Sequence, residues 1–176
     1  MLYQCPAYYC LTIPDAAALN EALLQGYLRY VEDVSTRRSH EYEGRYENVY
    51  IGKDKIPRIE QVLTHAIEAA ADILNLESKN LRAGLWFNAM PPGSRTLKHA
   101  HDDDDELLSA VYYVSVPADS GHLILHNRNF STHVTPAPGM FVFFPPDVPH
   151  EVTENRSDKV RMSLGINIGP ACRVAD

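Results

Sequence analysis

Two histidines, His99 and His101, alternate with other residues along a segment that is predicted to be a β-strand. Because successive side chains of a strand point to opposite faces, the two imidazoles share one face, and Asp103 joins them if the strand continues. His150 follows a strand that looks buried and a proline-rich turn that would hold it rigidly. Two ligands from one strand and one from a distant strand can form a facial metal site with open positions. These residues are therefore candidate metal ligands.

Arg161 and Ser163 lie on the next predicted strand after His150, and the same alternation places them on one face. A guanidinium can hold a carboxylate through two parallel hydrogen bonds, and a neighbouring hydroxyl adds another. Each feature alone is also common on protein surfaces. Because the histidines, Arg161 and Ser163 occur together and in this order along one all-β pattern, we favour a functional site over separate surface features. We expect two further histidines that share a strand face, His122 and His126, to be structural.

The composition excludes several classes of function. The chain has 176 residues, 45% of them hydrophobic, and a formal net charge of −7. This charge disfavours binding to nucleic acid or to an anionic membrane surface, since both need a basic face. The cysteines have no metal-ligand spacing, and no apolar stretch approaches the ~20 residues of a membrane span. Although the first fourteen residues are uncharged, they lack the basic start and continuous apolar core of a signal peptide. We therefore expect a cytoplasmic protein with reduced thiols.

The first half of the chain contains two segments with helical periodicity. The first runs from Pro14 to about Val34, and the second begins around Pro57. The apolar stripe of the first consists of Leu19, Leu23, Tyr27, Leu28 and Val31, at spacings of three and four. Between the helices, the polar and tyrosine-rich residues 35–56 fit either a loop or short strands. We look for substrate contacts within residues 39–51.

From residue 83 the period changes to two, and proline and glycine separate short segments that are rich in β-branched and aromatic residues. Seven or eight strands in such a length are typical of a β-sandwich or barrel. The predicted class is α+β, with the two helices packed on one sheet. We treat residues 1–176 as a single domain, in which residues 1–82 support a core formed by residues 83–170.

The segment from Trp86 to Asn167 resembles the iron- and 2-oxoglutarate-dependent oxygenases of the prolyl-4-hydroxylase-like group, which share a double-stranded β-helix (a jelly-roll or cupin-like barrel). The resemblance covers about half of the chain, and its most informative element is Arg161-x-Ser163 after the distal histidine. The other residues that carry it are Trp86-Phe-Asn88, Gly93, His99-Ala-His101, Leu108–Val114, Ser120-Gly121, Pro138-Gly139, His150 and Asn167.

The resemblance implies a soluble hydroxylase that uses Fe(II), O2 and 2-oxoglutarate and releases succinate and CO2. The C5 carboxylate of 2-oxoglutarate would bind Arg161, with help from Ser163 and from Tyr113 or Asn88. A small molecule or a peptide would be the substrate. We expect no nucleic-acid or membrane partner, and a homodimer as the usual state of soluble enzymes. The acidic run 102–106 would gate the barrel mouth, meet a cationic group of the substrate, or be a solvated loop.

Two alignments of the metal ligands compete. The wider superfamily has His-x-Asp/Glu followed by a distal histidine. Spacing from Gly93 favours His99, His101 and His150, whereas His101 and Asp103 themselves form a His-x-Asp pair that would leave His99 outside the ligand set. We prefer the three-histidine set because His-x-His recurs in the branch that this chain resembles.

Two other classes of protein also fit parts of the pattern. A cupin-type metalloenzyme without 2-oxoglutarate would take Glu106 as a fourth ligand, but it would give Arg161-x-Ser163 no role. A non-catalytic β-barrel binding module would hold a structural metal, closed by four protein ligands, or none.

Overall fold

Short segments of alternating apolar residues form two sheets, and two helices pack on one of them. The computed structural model describes residues 1–100 and 105–171. Their helices are α1 (Ala17–Tyr30) and α2 (Ile59–Leu74), with 3-10 turns at Lys53–Lys55 and Ser78–Asn80. Their strands are β1 (Leu2–Cys5), β2 (Tyr8–Thr12), β3 (Arg37–Tyr42), β4 (Arg45–Tyr50), β5 (Leu81–Met90), β6 (Thr96–His99), β7 (Leu108–Ser115), β8 (Leu123–His126), β9 (Ser131–Val134), β10 (Met140–Phe144), β11 (His150–Val152) and β12 (Arg161–Pro170).

All strand pairs within these residues are antiparallel. The large sheet has the order β1-β2-β10-β7-β12-β5-β4-β3, and the small sheet has the order β6-β11-β8-β9. From β5 onward the chain passes back and forth between the two sheets, as in a double-stranded β-helix. The eight strands from β5 to β12 agree with the seven or eight expected from the sequence. The predicted α+β class, with two helices on one sheet of this core, is confirmed.

The two-residue period of β12 sorts its side chains between two environments. One face belongs to the core between the large sheet and the helices, and consists of Met162, Leu164, Ile166 and Ile168. The other face lines a cavity between the two sheets, and consists of Arg161, Ser163, Gly165 and Asn167. The prediction that Arg161 and Ser163 share a face is therefore confirmed.

Helix α1 is shorter than predicted. Asp15 has a positive φ of 53°, so the chain turns sharply before the helix begins at Ala17. Leu19 and Leu23 are buried as expected, but Leu28 is 59% exposed, so its place in the predicted apolar stripe is wrong. Leu28 follows Tyr27 on the helix and points about 100° away from it, toward solvent. Helix α2 begins close to the predicted position.

The N-terminal half adds four strands to the large sheet. The hairpin β1–β2 pairs with β10 and was not predicted. The hairpin β3–β4 resolves the alternative left open for residues 35–56 in favour of strands, and β4 pairs with β5 beside the cavity. No α-helix of residues 1–100 and 105–171 is long and apolar enough to cross a membrane.

Candidate active site

Two predicted metal ligands face each other across a pair of strands in the small sheet. His99 ends β6, His150 begins β11, and the two are register partners. Their ring centroids are 4.3 Å apart, and both residues line the cavity. His150 is buried, and Phe144 packs edge-on against its ring at 4.8 Å. The strand pairing thus brings together two imidazoles that are far apart in the sequence.

Both imidazoles are oriented in the same way by the backbone. The Nδ1 of His99 donates to the carbonyl oxygen of Leu97 at 2.8 Å, and the Nδ1 of His150 donates to that of Val148 at 3.0 Å. A carbonyl can only accept, so each ring carries its proton on Nδ1 and its lone pair on Nε2. Backbone support of this kind is typical of metal-bound histidines. The pair therefore suits a metal such as iron.

The third predicted ligand lies outside the described residues. Both His101 and its alternative partner Asp103 fall in the gap between residues 100 and 105. Among the residues on either side of that gap, no cluster of three histidine, cysteine, aspartate or glutamate side chains could hold a metal ion. The choice between the two ligand sets stays a prediction.

Arg161 is a buried cation at one end of the cavity. Its residue is 1% exposed, its Nη1 donates to the carbonyl oxygen of Ser120 at 3.3 Å, and its guanidinium carbon lies 5.2 Å from the centre of the Tyr113 ring. That carbonyl belongs to a tight turn. Gly121 has a φ of 93°, and a Cβ there would collide with the Thr153 carbonyl. The turn thus holds the Ser120 carbonyl oxygen against the Arg161 guanidinium, and a residue larger than glycine would not fit at position 121.

The Arg161 pocket lacks hydrogen-bond partners for two of its buried groups. Arg161 Nε and the Tyr113 hydroxyl have none among the described residues. Burial lowers the pKa of Arg161 and raises the pKa of Tyr113, while the attraction between the two groups opposes both shifts. Arginine nevertheless stays protonated in proteins. A buried guanidinium with donors to spare is stabilised by an anion that enters with it, so this pocket fits the distal carboxylate of 2-oxoglutarate.

Ser163 and Asn88, the predicted helpers of Arg161, line the same cavity as Arg161. Ser163 is buried, pairs with both Tyr113 on β7 and Asn88 on β5, and lines the cavity. The amide oxygen of Asn88 accepts a hydrogen bond from Nη1 of Arg45 at 3.0 Å. Its predicted contact with 2-oxoglutarate stays a prediction.

Arg45 was missed by the sequence analysis. Besides Asn88, it binds Glu47 at 2.8 Å, the Arg95 carbonyl at 2.9 Å and Thr96 at 3.1 Å. These contacts fasten the β3–β4 hairpin to β5 and to the start of β6. Burial lowers the pKa of Arg45, and the carboxylate of Glu47 opposes this shift. The sequence analysis left the structure of residues 35–56 open, so no pattern in the sequence indicated that Arg45 would make these contacts.

The cavity has a volume of about 460 Å³ and is lined by both sheets and by the β3–β4 hairpin. The hairpin contributes polar groups from the segment in which we expected substrate contacts: His40, Glu47, Asn48 and Tyr50. A second cavity of about 520 Å³ lies next to the first. The residues that line both are Tyr50, Trp86, Glu106 and Asn167.

Comparisons with known proteins agree with this geometry. Residues 85–169 match the model of the 2OG-Fe(II) oxygenase superfamily. Among curated proteins, none matches the sequence significantly. A prolyl-4-hydroxylase from Pseudomonas putida is similar in structure, with a TM-score of 0.70 and 23% identity over 93% of this chain and 92% of that chain.

Two other solved structures have the same fold, and each contains bound partners of its own protein. A prolyl hydroxylase from Trichoplax adhaerens, in complex with a peptide fragment of the hypoxia inducible factor, has a TM-score of 0.66 and 14% identity over 93% of this chain and 83% of that chain. The epimerase SnoN, with Fe3+, alpha ketoglutarate and nogalamycin RO, has a TM-score of 0.69 and 16% identity over 94% of this chain and 79% of that chain. At these identities the likeness concerns the fold.

Proposed function

We propose that this chain, whose residues 85–169 match the model of the 2OG-Fe(II) oxygenase superfamily, hydroxylates a small-molecule or peptide substrate and releases succinate and CO2. The oxygenase class and the use of Fe(II) and 2-oxoglutarate, both predicted from the sequence, are confirmed by the family match. The observation that carries the proposal is the buried Arg161 beside Ser163, at one end of the cavity that His99 and His150 also line.

Each part of this site has a separate task. His99, His150 and a third ligand, for which we propose His101, would hold the iron through imidazole nitrogens. Arg161 would neutralise and orient the far carboxylate of 2-oxoglutarate, with Ser163 and Tyr113 as hydrogen-bonding partners. When bound, iron and 2-oxoglutarate supply the activation of O2 and the oxidising power for hydroxylation. The protein positions the substrate and excludes water.

The cupin-type alternative fits the structure less well. It would need Glu106 as a fourth ligand, whereas the Glu106 carboxylate accepts a hydrogen bond from the Asn167 amide on β12. It would also leave Arg161 as a buried cation without a task, and burying an uncompensated charge is costly. The geometry therefore supports the oxygenase.

Succinate formation tests this proposal. Protein supplied with Fe(II), 2-oxoglutarate and O2 should produce succinate even without substrate, slowly, and His150→Ala should abolish that activity. A matched control is His126→Ala, because this histidine binds Glu151 and Ser131 and does not line the cavity. Wild-type protein that binds iron but forms no succinate, with or without candidate substrates, would contradict the proposal.

A further inference from the structure

We propose that the end of the cavity remote from Arg161 binds a cationic nitrogen group of the substrate, either a guanidinium or a protonated amine. Four residues build this place, which we term the distal subsite: Ser109, Asn167, Glu106 and Trp86. The inference rests on the proposed function, since it names the group that an oxygenase substrate would present when it is bound beside the iron.

The position of the distal subsite follows from the register of three strands. Arg161 and Asn167 line the same cavity from the same face of β12, and they lie six residues apart, or about 20 Å at ~3.3 Å per residue. Asn167 pairs with Ser109 on β7. A five-carbon dicarboxylate anchored at Arg161 is much shorter than this span. The Asn167 end is therefore left for the substrate.

Two buried polar atoms at this end can accept a hydrogen bond from a bound group. Ser109 is only 3% exposed, and its Oγ has no hydrogen-bond partner among the described residues. The Oδ1 of Asn167, its register partner, is also buried and without one. Proteins rarely leave such atoms unsatisfied without a functional reason. Because both residues line the cavity, a group bound there can supply the missing donors.

Glu106 fixes the orientation of the Asn167 amide. The Nδ2 of Asn167 donates to the Glu106 carboxylate. An ionised carboxylate can only accept, so the amide presents its oxygen, and not its nitrogen, to a ligand. The distal subsite thus combines an amide oxygen, a hydroxyl and a negative charge. This set favours a positively charged group with several N–H donors over an anion.

Trp86 adds an aromatic surface to the same place. Its indole packs against Gly165, the neighbour of Asn167 along the cavity face of β12, and lies 6.2 Å from the ring of Tyr50. Guanidinium and ammonium groups are attracted to the faces of aromatic rings, and tryptophan is the strongest partner. The aromatic wall therefore supports the same class of ligand as the acceptors do.

Three amino acids of similar size test the charge and the donors separately. They are supplied as Nα-acetyl derivatives, so that none carries a free α-ammonium: arginine has a cationic guanidinium, citrulline has a neutral urea with N–H donors, and norleucine has neither. Binding is measured anaerobically, by calorimetry and by fluorescence of Trp86, the single tryptophan of the chain, on protein that holds Fe(II) and 2-oxoglutarate. We expect arginine to bind at least about tenfold more tightly than norleucine, with citrulline between them.

Two variants assign the preference to residues. Glu106→Gln should remove the advantage of arginine over citrulline, and Ser109→Ala should weaken both relative to norleucine. The exposed Glu154→Gln is the matched control, with thermal unfolding measured for all three variants. Arginine binding no tighter than norleucine binding to the wild type overturns the distal subsite, and so does an arginine advantage over citrulline that survives in folded Glu106→Gln protein. Failure of the wild type to bind 2-oxoglutarate overturns the proposed function instead.

Discussion

His99 and His150 lie with their ring centroids 4.3 Å apart, and each donates its Nδ1 proton to the carbonyl oxygen of the residue two positions before it. The two imidazoles are thus oriented by the same kind of local hydrogen bond to the backbone, although they come from different strands. Each backbone carbonyl selects the tautomer with its lone pair on Nε2 before any metal arrives. A site prepared in this way loses little conformational entropy when it binds iron.

The first prediction concerns the identity of the metal ligands. His99→Ala should lower the affinity for Fe(II) by about 100-fold or more, since loss of a supporting contact alone costs 10–100-fold. Asp103→Ala should leave the affinity unchanged, because we place His99 rather than Asp103 beside His101 in the ligand set. Iron content after dialysis against a chelator of known affinity measures both. An Asp103→Ala protein that loses its iron while His99→Ala retains it would establish the His-x-Asp ligand set.

A second prediction uses the contact between Gly165 and Trp86. A Cβ at position 165 would lie 2.7 Å from the indole Nε1 and closer still to two ring carbons, so Gly165→Ala must displace the indole. We expect a loss of about 1–3 kcal/mol in the free energy of unfolding and a shifted emission of the single tryptophan. Gly84→Ala on β5 is the matched control, because a Cβ there meets no atom within 4 Å. Equal effects of the two substitutions would show that the indole does not pack on β12.

Arg45 gives a third prediction, on the attachment of the hairpin. Arg45→Ala leaves Glu47 and Asn88 without a donor in a half-buried place, and breaking such a network costs about 2–4 kcal/mol of unfolding free energy. Arg95→Ala is the control, because the Arg95 side chain is 54% exposed and its surface ion pair with Glu43 contributes about 0–1 kcal/mol. Urea denaturation measures both variants. A loss for Arg45→Ala no larger than that for Arg95→Ala would mean that the hairpin is held by other contacts.

The fourth prediction concerns alkaline pH. Burial raises the pKa of Tyr112 to about 12, and its hydroxyl donates to the buried Oδ1 of Asn20 at 2.6 Å. Above pH 10 the unfolded chain loses this proton while the folded chain keeps it, so the unfolding free energy falls as pH rises toward 12. The slope should approach about 1.4 kcal/mol per pH unit for this group. Tyr112→Phe should lessen the slope between pH 10 and 12, whereas the exposed Tyr3→Phe should not. Identical slopes for wild type and Tyr112→Phe would contradict the assignment.

The second half of the fold was predictable because one physical rule governs it. Strand β12 has an apolar face toward the helices and a polar or glycine face toward the cavity, so its two-residue period shows directly in the sequence. Arg161 and Ser163 belong to the polar face, and a polar face on a buried strand favours a site. His150 was proposed as a ligand because a strand that looks buried and a proline-rich turn precede it, and its pairing with His99 came from the structure.

The missed features depend on contacts that no local pattern encodes. The hairpin β1–β2 lies at the edge of the sheet with its side chains half buried, so its apolar and polar residues do not alternate clearly. Arg45 acquires its role only when β4 docks beside β5. The link between Glu106 and Asn167 likewise joins a loop to a distant strand. Sequence reasoning proposed residues for the metal and for the carboxylate, and the structure places His99, His150 and Arg161 along one cavity, while the proposed distal subsite needed the tertiary structure.

The central claim is that Arg161 anchors 2-oxoglutarate beside the iron. It is tested by adding 2-oxoglutarate anaerobically to the Fe(II)-loaded protein and recording the visible metal-to-ligand charge-transfer band. The band should develop in the wild type, and Arg161→Gln should need at least ~30-fold more 2-oxoglutarate, since loss of a buried charged partner costs about 2 kcal/mol or more. The exposed Arg156→Gln should behave as wild type. Iron-loaded wild type that develops no band, or a band equally sensitive to 2-oxoglutarate in Arg161→Gln, would contradict the account.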